Sequence, residues 1–227
     1  MPFFNVIKWI VWKDILSELR SRENISSLFF FALNVILIFS FSFSIDRDIT
    51  LALMPGLIWV AFGFTSILGL GKSFLAETHN DCLLYLQMAP VPKGAIYLGK
   101  CCGNFILMFI VEVILLPLFV LFFNLEVMDI AKLLSLLLLF LLATVGLSAL
   151  GTLFSALTVQ PRAREVMFPL LLLPLEVPVF IASVEVTQGV LNGDPISFYR
   201  HWLELLMVFD LVLTVASFWM FELILDD

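Results

Sequence analysis

Two carboxylates four residues apart, Glu77 and Asp81, stand in a polar segment between long apolar runs. That spacing places both on one face of a helix. Leu83, Leu84, Leu86 and Met88, with Tyr85 among them, supply an apolar side, and Pro90 and Pro92 end the helix. A short helix with an acidic edge and an exposed apolar face suits docking onto another protein. The same pattern also suits a helix folded back on its own bundle. Just upstream, Gly71-Lys72-Ser73 copies the end of a phosphate-binding loop, but Ser66 occupies the position of the first glycine. The run before it is apolar enough to cross a membrane. A phosphate cradle needs amides that follow a strand and open a helix. Nucleotide binding by this chain is therefore not expected.

Three further carboxylates fall inside apolar runs: Glu112, Glu176 and Asp210. Ionisable groups at membrane depth are costly and commonly functional. Glu176 lies between Pro174 and Pro178, with Pro169 upstream. Prolines there free backbone carbonyls and kink the helix. Each carboxyl group, Glu204 included, has a structural alternative: bonding a freed amide, facing a helix contact, or lying shallower. Ser148, Thr152 and Ala156 recur every four residues, with Gly146 and Gly151 nearby. Small residues let helices approach closely, within this chain or against a second copy. Histidine is limited to His79 and His201, placed on opposite sides of the membrane, so they make no joint metal or haem site. Cys82, Cys101 and Cys102 fall in the polar segment and lack a C-x-x-C pair. Their expected place is a cytoplasmic loop, where thiols stay reduced. No clustered Ser/His or His/Asp set suggests catalysis.

These residues must be carried by membrane helices. The 227 residues are 62% hydrophobic and 14% charged, with mean hydropathy +1.09. Soluble domains are nearer half apolar and a quarter charged. A crossing takes about 20 apolar residues, so the chain reads as an all-α membrane domain of six spans. They are expected at 27–45, 51–71, 105–123, 133–158, 166–184 and 202–225. Asp46, Arg47 and Asp48 should form a turn, and Pro55 should sit harmlessly in the first turn of the second span. Residues 72–104 should form a long polar loop, and Asn124–Lys132, 159–165 and 185–201 shorter polar connections. Residues 1–26 should hold an amphipathic helix lying in the interface. Trp9, Trp12, Leu16 and Leu19 share one face, and Lys13, Asp14, Ser17, Glu18, Arg20 and Ser21 lie opposite. Charges there interrupt any signal-peptide core, so insertion without cleavage is expected.

Lys and Arg alone set orientation. Nine fall on the side of the N-terminus and the 72–104 loop, and three (Arg47, Lys132 and Arg200) on the other. Both termini are therefore expected in the cytoplasm. The net charge of −7 includes carboxylates inside apolar runs, and the dispersed basic residues give no nucleic-acid surface.

Six spans, an interfacial first helix and a long second cytoplasmic loop resemble an ABC-2-type exporter permease. The residues from Met54-Pro55-Gly56-Leu57-Ile58-Trp59-Val60 to Lys72-Ser73-Phe74 resemble the second span of the haem exporter protein B family (CcmB). So do Leu86-Gln87-Met88-Ala89-Pro90-Val91-Pro92, followed by Gly99-Lys100, and Leu173-Pro174-Leu175-Glu176-Val177-Pro178-Val179-Phe180-Ile181. The family commonly has Asp-Gly where this chain has Asp81-Cys82.

The resemblance implies the membrane subunit of the cytochrome c maturation ABC transporter, in a bacterial inner membrane. It implies a soluble ABC ATPase that supplies ATP hydrolysis, a second copy of this chain, haem-handling membrane subunits and a haem chaperone. Haem export or release of the loaded chaperone would be the work done, with no cofactor bound to this chain itself. The helix around Glu77–Met88 would be the coupling helix. The 185–201 segment would dip into the outer leaflet or meet a haem-handling partner. Two other readings stand beside it: an ABC-2-type exporter of a lipid-linked glycan or drug, and an unrelated secondary transporter. The latter would show inverted repeats, and none is evident.

Overall fold

The computed structural model describes residues 3–21, 23–42, 47–74, 90–123, 129–158 and 161–224. Seven helices are seen among them: α1 Phe3–Ser21, α2 Glu23–Ser42, α3 Arg47–Leu70, α4 Lys93–Phe122, α5 Ile130–Leu157, α6 Pro161–Asn192 and α7 Ile196–Ile224. Six of them, α2 to α7, are long and apolar enough to cross a membrane. Their outward faces carry Phe30, Ile38, Leu170, Val208, Leu211 and Trp219, all exposed. Such faces suit hydrocarbon, where each helix satisfies its own backbone.

Helix α5 is the hub, packing against α3, α4, α6 and α7, while α1 lies along α4 and α2 lies against α3 and α4. The apolar window of α3 is 67% buried and that of α2 only 17%, so α3 is central and α2 peripheral. The main core is aromatic. Trp59 and Phe62 of α3 meet Phe140 of α5 edge-to-face at 5.6 and 5.0 Å, and Phe62 meets Phe119 of α4 at 5.9 Å. Trp59 Nε1 donates to Thr187 Oγ1 of α6 at 2.9 Å, which satisfies a buried donor between helices.

Several boundaries differ from the sequence expectation. The third span is expected at 105–123, but α4 runs from Lys93. At 30 residues it is about 45 Å long, enough for headgroups as well as hydrocarbon. Its first turns are polar and glycine-rich, so hydropathy does not mark them. They are helical because protein covers them: Ile10 of α1 packs on Gly99, and Phe218 of α7 on Gly94. Cys101 and Cys102 therefore stand on a helix and not in a loop. Cys82 lies outside the described residues.

Arg47 and Asp48 belong to α3, which moves Pro55 from the expected first turn into the helix interior. Lys132 is inside α5, and α6 starts at Pro161, where a missing N–H is harmless. The expected polar segment at 185–201 is mostly helix: α6 continues to Asn192 and α7 begins at Ile196. Gly193 has φ +78°, with its N–H bonded to the Val190 carbonyl and that of Asp194 to Gly189. This left-handed glycine stop reverses the chain in three residues, and no reentrant element separates the two helices. Pro169, Pro174 and Pro178 all lie inside the continuous α6, as membrane helices tolerate.

Candidate functional site

The residues that flank 75–89, Ser73 and Phe74 on one side and Val91 on the other, lie at one end of the bundle, beside α1. Its acidic and apolar positions Glu77, Asp81, Leu83, Leu84, Tyr85, Leu86 and Met88, with His79, lie outside the described residues. Pro90 and Pro92 are exposed, and Pro92 stands at the N-cap of α4. What holds these flanking residues is built from α1, α4, α5 and α7.

Lys100 of α4 is the centre of that anchor. Its side chain is 3% exposed, and its Nζ lies 3.0 Å from Asp14 Oδ2 of α1. The same nitrogen donates to the Ser73 carbonyl at 3.2 Å and stands 5.2 Å from the Phe74 ring centroid. A cation so placed also meets the negative end of the α3 dipole. One helical turn on, Asn104 Nδ2 donates to Ser73 Oγ and to Thr152 Oγ1 of α5, each at 2.8 Å. Phe74 in turn packs in a small core with Ile96, Tyr97, Leu153 and Phe221. Tyr97 closes this layer, its hydroxyl donating to the Ala149 carbonyl at 3.1 Å. On the other side of the segment, Val91 packs on the same core. Four helices thus hold the two chain ends by charge, hydrogen bonds and aromatic packing.

The Gly71-Lys72-Ser73 triplet lies here. Its amides bond back to Ile67, Gly69 and Leu70. They close the last turn of a helix, so the end that faces outward carries carbonyls, which repel phosphate.

The small-residue face of α5 looks into the same layer. Ser148 Oγ is 3.7 Å from Cys101 Sγ, Thr152 accepts from Asn104, and Ala156 packs on the small core. Gly151 faces α3, where Leu70 leaves no room for a side chain.

The membrane-depth carboxyl groups are separate. Glu112 of α4 is buried, with Oε2 at 2.5 Å from the Thr144 hydroxyl of α5. Asp210 of α7 presses against Gly146 of α5. Glu176 is fully buried, and neither its oxygens nor those of Asp210 have a hydrogen-bond partner among the described residues. No described hydrogen bond or ion pair joins the three. Glu204 is exposed and pairs with Arg200 at 2.7 Å. His201 is exposed beside Trp202. Among the described residues, no group of three or more His, Cys, Asp or Glu side chains is placed to hold a metal ion.

Asp14, Ser73, Lys100 and Asn104 are the residues that sequence reading did not single out as a site. Tyr97, Lys100, Asn104 and Met108 recur at three to four residues, the stripe of a helix. That signal was hidden by reading 72–104 as loop. On α1, Asp14 faces α4 and not solvent, whereas Trp9 and Trp12 are 61% and 59% exposed.

Comparison with known proteins gives a consistent result. The sequence model of the family described as "CcmB protein" matches residues 5–222. A protein named "Heme exporter protein B" from Pseudomonas aeruginosa is 32% identical over 195 residues, 86% of each chain. Proteins of the same name from Haemophilus influenzae and Rhodobacter capsulatus are 29% and 28% identical. The first alignment covers 83% of this chain and 82% of the relative, the second 80% and 82%.

Proposed function

This chain belongs to the CcmB protein family, and we propose on that premise that the helix expected around Glu77–Met88 couples a partner ATPase to the membrane helices. The chain is a multi-pass membrane protein and a non-catalytic transporter subunit. It serves c-type cytochrome biogenesis, as the permease subunit of an ABC transporter. In our reading, ATP acts through a separate soluble ATPase, and two copies of this chain pair with two ATPases. Haem-handling membrane subunits and a haem chaperone complete the assembly. The work done is haem export or release of the loaded chaperone. The membrane is the bacterial inner membrane with both termini cytoplasmic. Supporting this are the nine-to-three division of Lys and Arg and the Lys132 Nζ bond to the Leu191 carbonyl, which places Lys132 at the end where α6 stops.

One observation carries the coupling reading: Ser73 and Phe74 on one side of the segment and Val91 on the other are fastened to the bundle. A push on a slack loop would be absorbed by its backbone freedom. A push on a segment with held ends moves what holds them, here α1, α4, α5 and α7. The first test is a mild-detergent pull-down from the native membrane with mass spectrometry. Recovery of a soluble ABC ATPase with haem-handling maturation proteins supports the proposal. Recovery without any ATPase overturns it.

A further inference from the structure

A small polar cavity opens beside the anchor. It has a volume of about 100 Å³ and is lined by α1, the start of α2, the end of α3 and the first half of α4. Its walls carry both signs of charge: Asp14 and Glu18 against Lys72 and Lys100. Leu107 and Met108 form an apolar side. Most polar groups there are engaged. Lys100 holds Asp14 and Ser73, Asn104 holds Ser73 and Thr152, and Glu18 Oε1 accepts from the Ile25 amide at 2.8 Å. One buried acceptor is not engaged: Asn24 lines the cavity, and its Oδ1 is buried with no hydrogen-bond partner among the described residues. A buried acceptor left so is costly and calls for a donor. Lys72 is exposed, at the mouth.

The cavity lies at the level of α1. The exposed tryptophans Trp9 and Trp12 on α1 suit headgroup depth. We propose that this cavity is the headgroup site of a phospholipid bearing a primary ammonium, of the phosphatidylethanolamine type. The ammonium enters on its short ethyl arm and donates to Asn24 Oδ1 beside Asp14 and Glu18. The phosphate stays at the mouth against Lys72, and Leu107 and Met108 meet the start of the acyl chains. A purely anionic headgroup would face two carboxylates, and a trimethylated ammonium has no proton for Asn24. This assignment does not depend on the coupling proposal. Its role would be to hold α1 on the bundle with a lipid of the surrounding leaflet.

The test is native mass spectrometry of the full chain, purified and delipidated in mild detergent. It is titrated with phosphatidylethanolamine, phosphatidylcholine and phosphatidylglycerol of identical acyl chains, and with phosphoethanolamine. The expected result is at least fivefold higher occupancy by phosphatidylethanolamine than by the other two lipids. Asn24→Leu abolishes that preference, and Lys72→Ala, at an exposed position, lowers occupancy by all three lipids, while helicity by circular dichroism is unchanged. Equal occupancy by the three lipids means surrounding lipid only and overturns the proposal. An unchanged preference in Asn24→Leu, or unchanged occupancy in Lys72→Ala, does so too. Phosphoethanolamine binding as tightly as the lipid would overturn the lipid assignment.

Discussion

Lys100 shows how much one side chain decides in a low-dielectric setting. Its ammonium is buried and its partner Asp14 is 17% exposed. Removing Lys100 leaves Asp14 with only the Lys13 ammonium, 3.1 Å away on a largely exposed side chain, and leaves the Ser73 carbonyl without this donor; breaking a buried pair in this way is strongly destabilising. Lys100→Met is therefore expected to destabilise the chain by about 3 kcal/mol, read as a lower Tm in detergent. The Asp14→Leu/Lys100→Met double variant should recover part of that loss, because no charge is then stranded. A double variant less stable than Lys100→Met would remove the ion pair from the explanation. Glycines make a second contrast. A Cβ at Gly146 would fall on the Asp210 carboxyl group, whereas one at Gly56 would meet nothing within 4 Å. Gly146→Ala should lower stability by about 1–3 kcal/mol, as overpacking does, and Gly56→Ala should not. Equal Tm values for the two variants would show that α5 and α7 separate at little cost.

At the scale of elements, transmission is proposed for the helix expected around Glu77–Met88, with its support in part on α1. Helix α1 rests on α4 through Ile10, which would stand 2.8 Å from a Cβ at Gly99, and through the Asp14 pair. Gly99→Leu should lift α1 off α4. The expected outcome is faster proteolysis within α1 with all six spans still inserted. Unchanged cleavage would mean that α1 is held elsewhere. For the segment itself, Leu84→Asp places a charge on the expected apolar face. ATPase stimulation by the assembled complex should fall sharply while membrane insertion is unaffected. Normal stimulation in that variant would rule out a coupling role for this face.

For the whole molecule, the described residues mark two ends of the bundle. The α3 and α4 ends flanking 75–89 share one with α1, and the α6–α7 turn at Gly193 shares the other with Lys132. In a cysteine-free background, a membrane-impermeant maleimide added to spheroplasts should label Asp194→Cys and leave Lys8→Cys unlabelled. The reverse pattern would invert the orientation drawn from Lys and Arg.

The sequence by itself determined the membrane class, the number of crossings and the family resemblance, because apolar length and composition act locally and add along the chain. It presents 185–201 as a polar segment, where the structure has α6 and α7 reversing tightly at Gly193. Only the tertiary structure decided that residues 93–104 are helix, since their cover comes from Ile10 and Phe218, far away in sequence. It alone joined Asp14 to Lys100 and Asn104 to Thr152, pairs 86 and 48 residues apart. Such pairs form between helices already made, and their energy depends on distance and burial in the packed bundle, which no local pattern of residue types encodes.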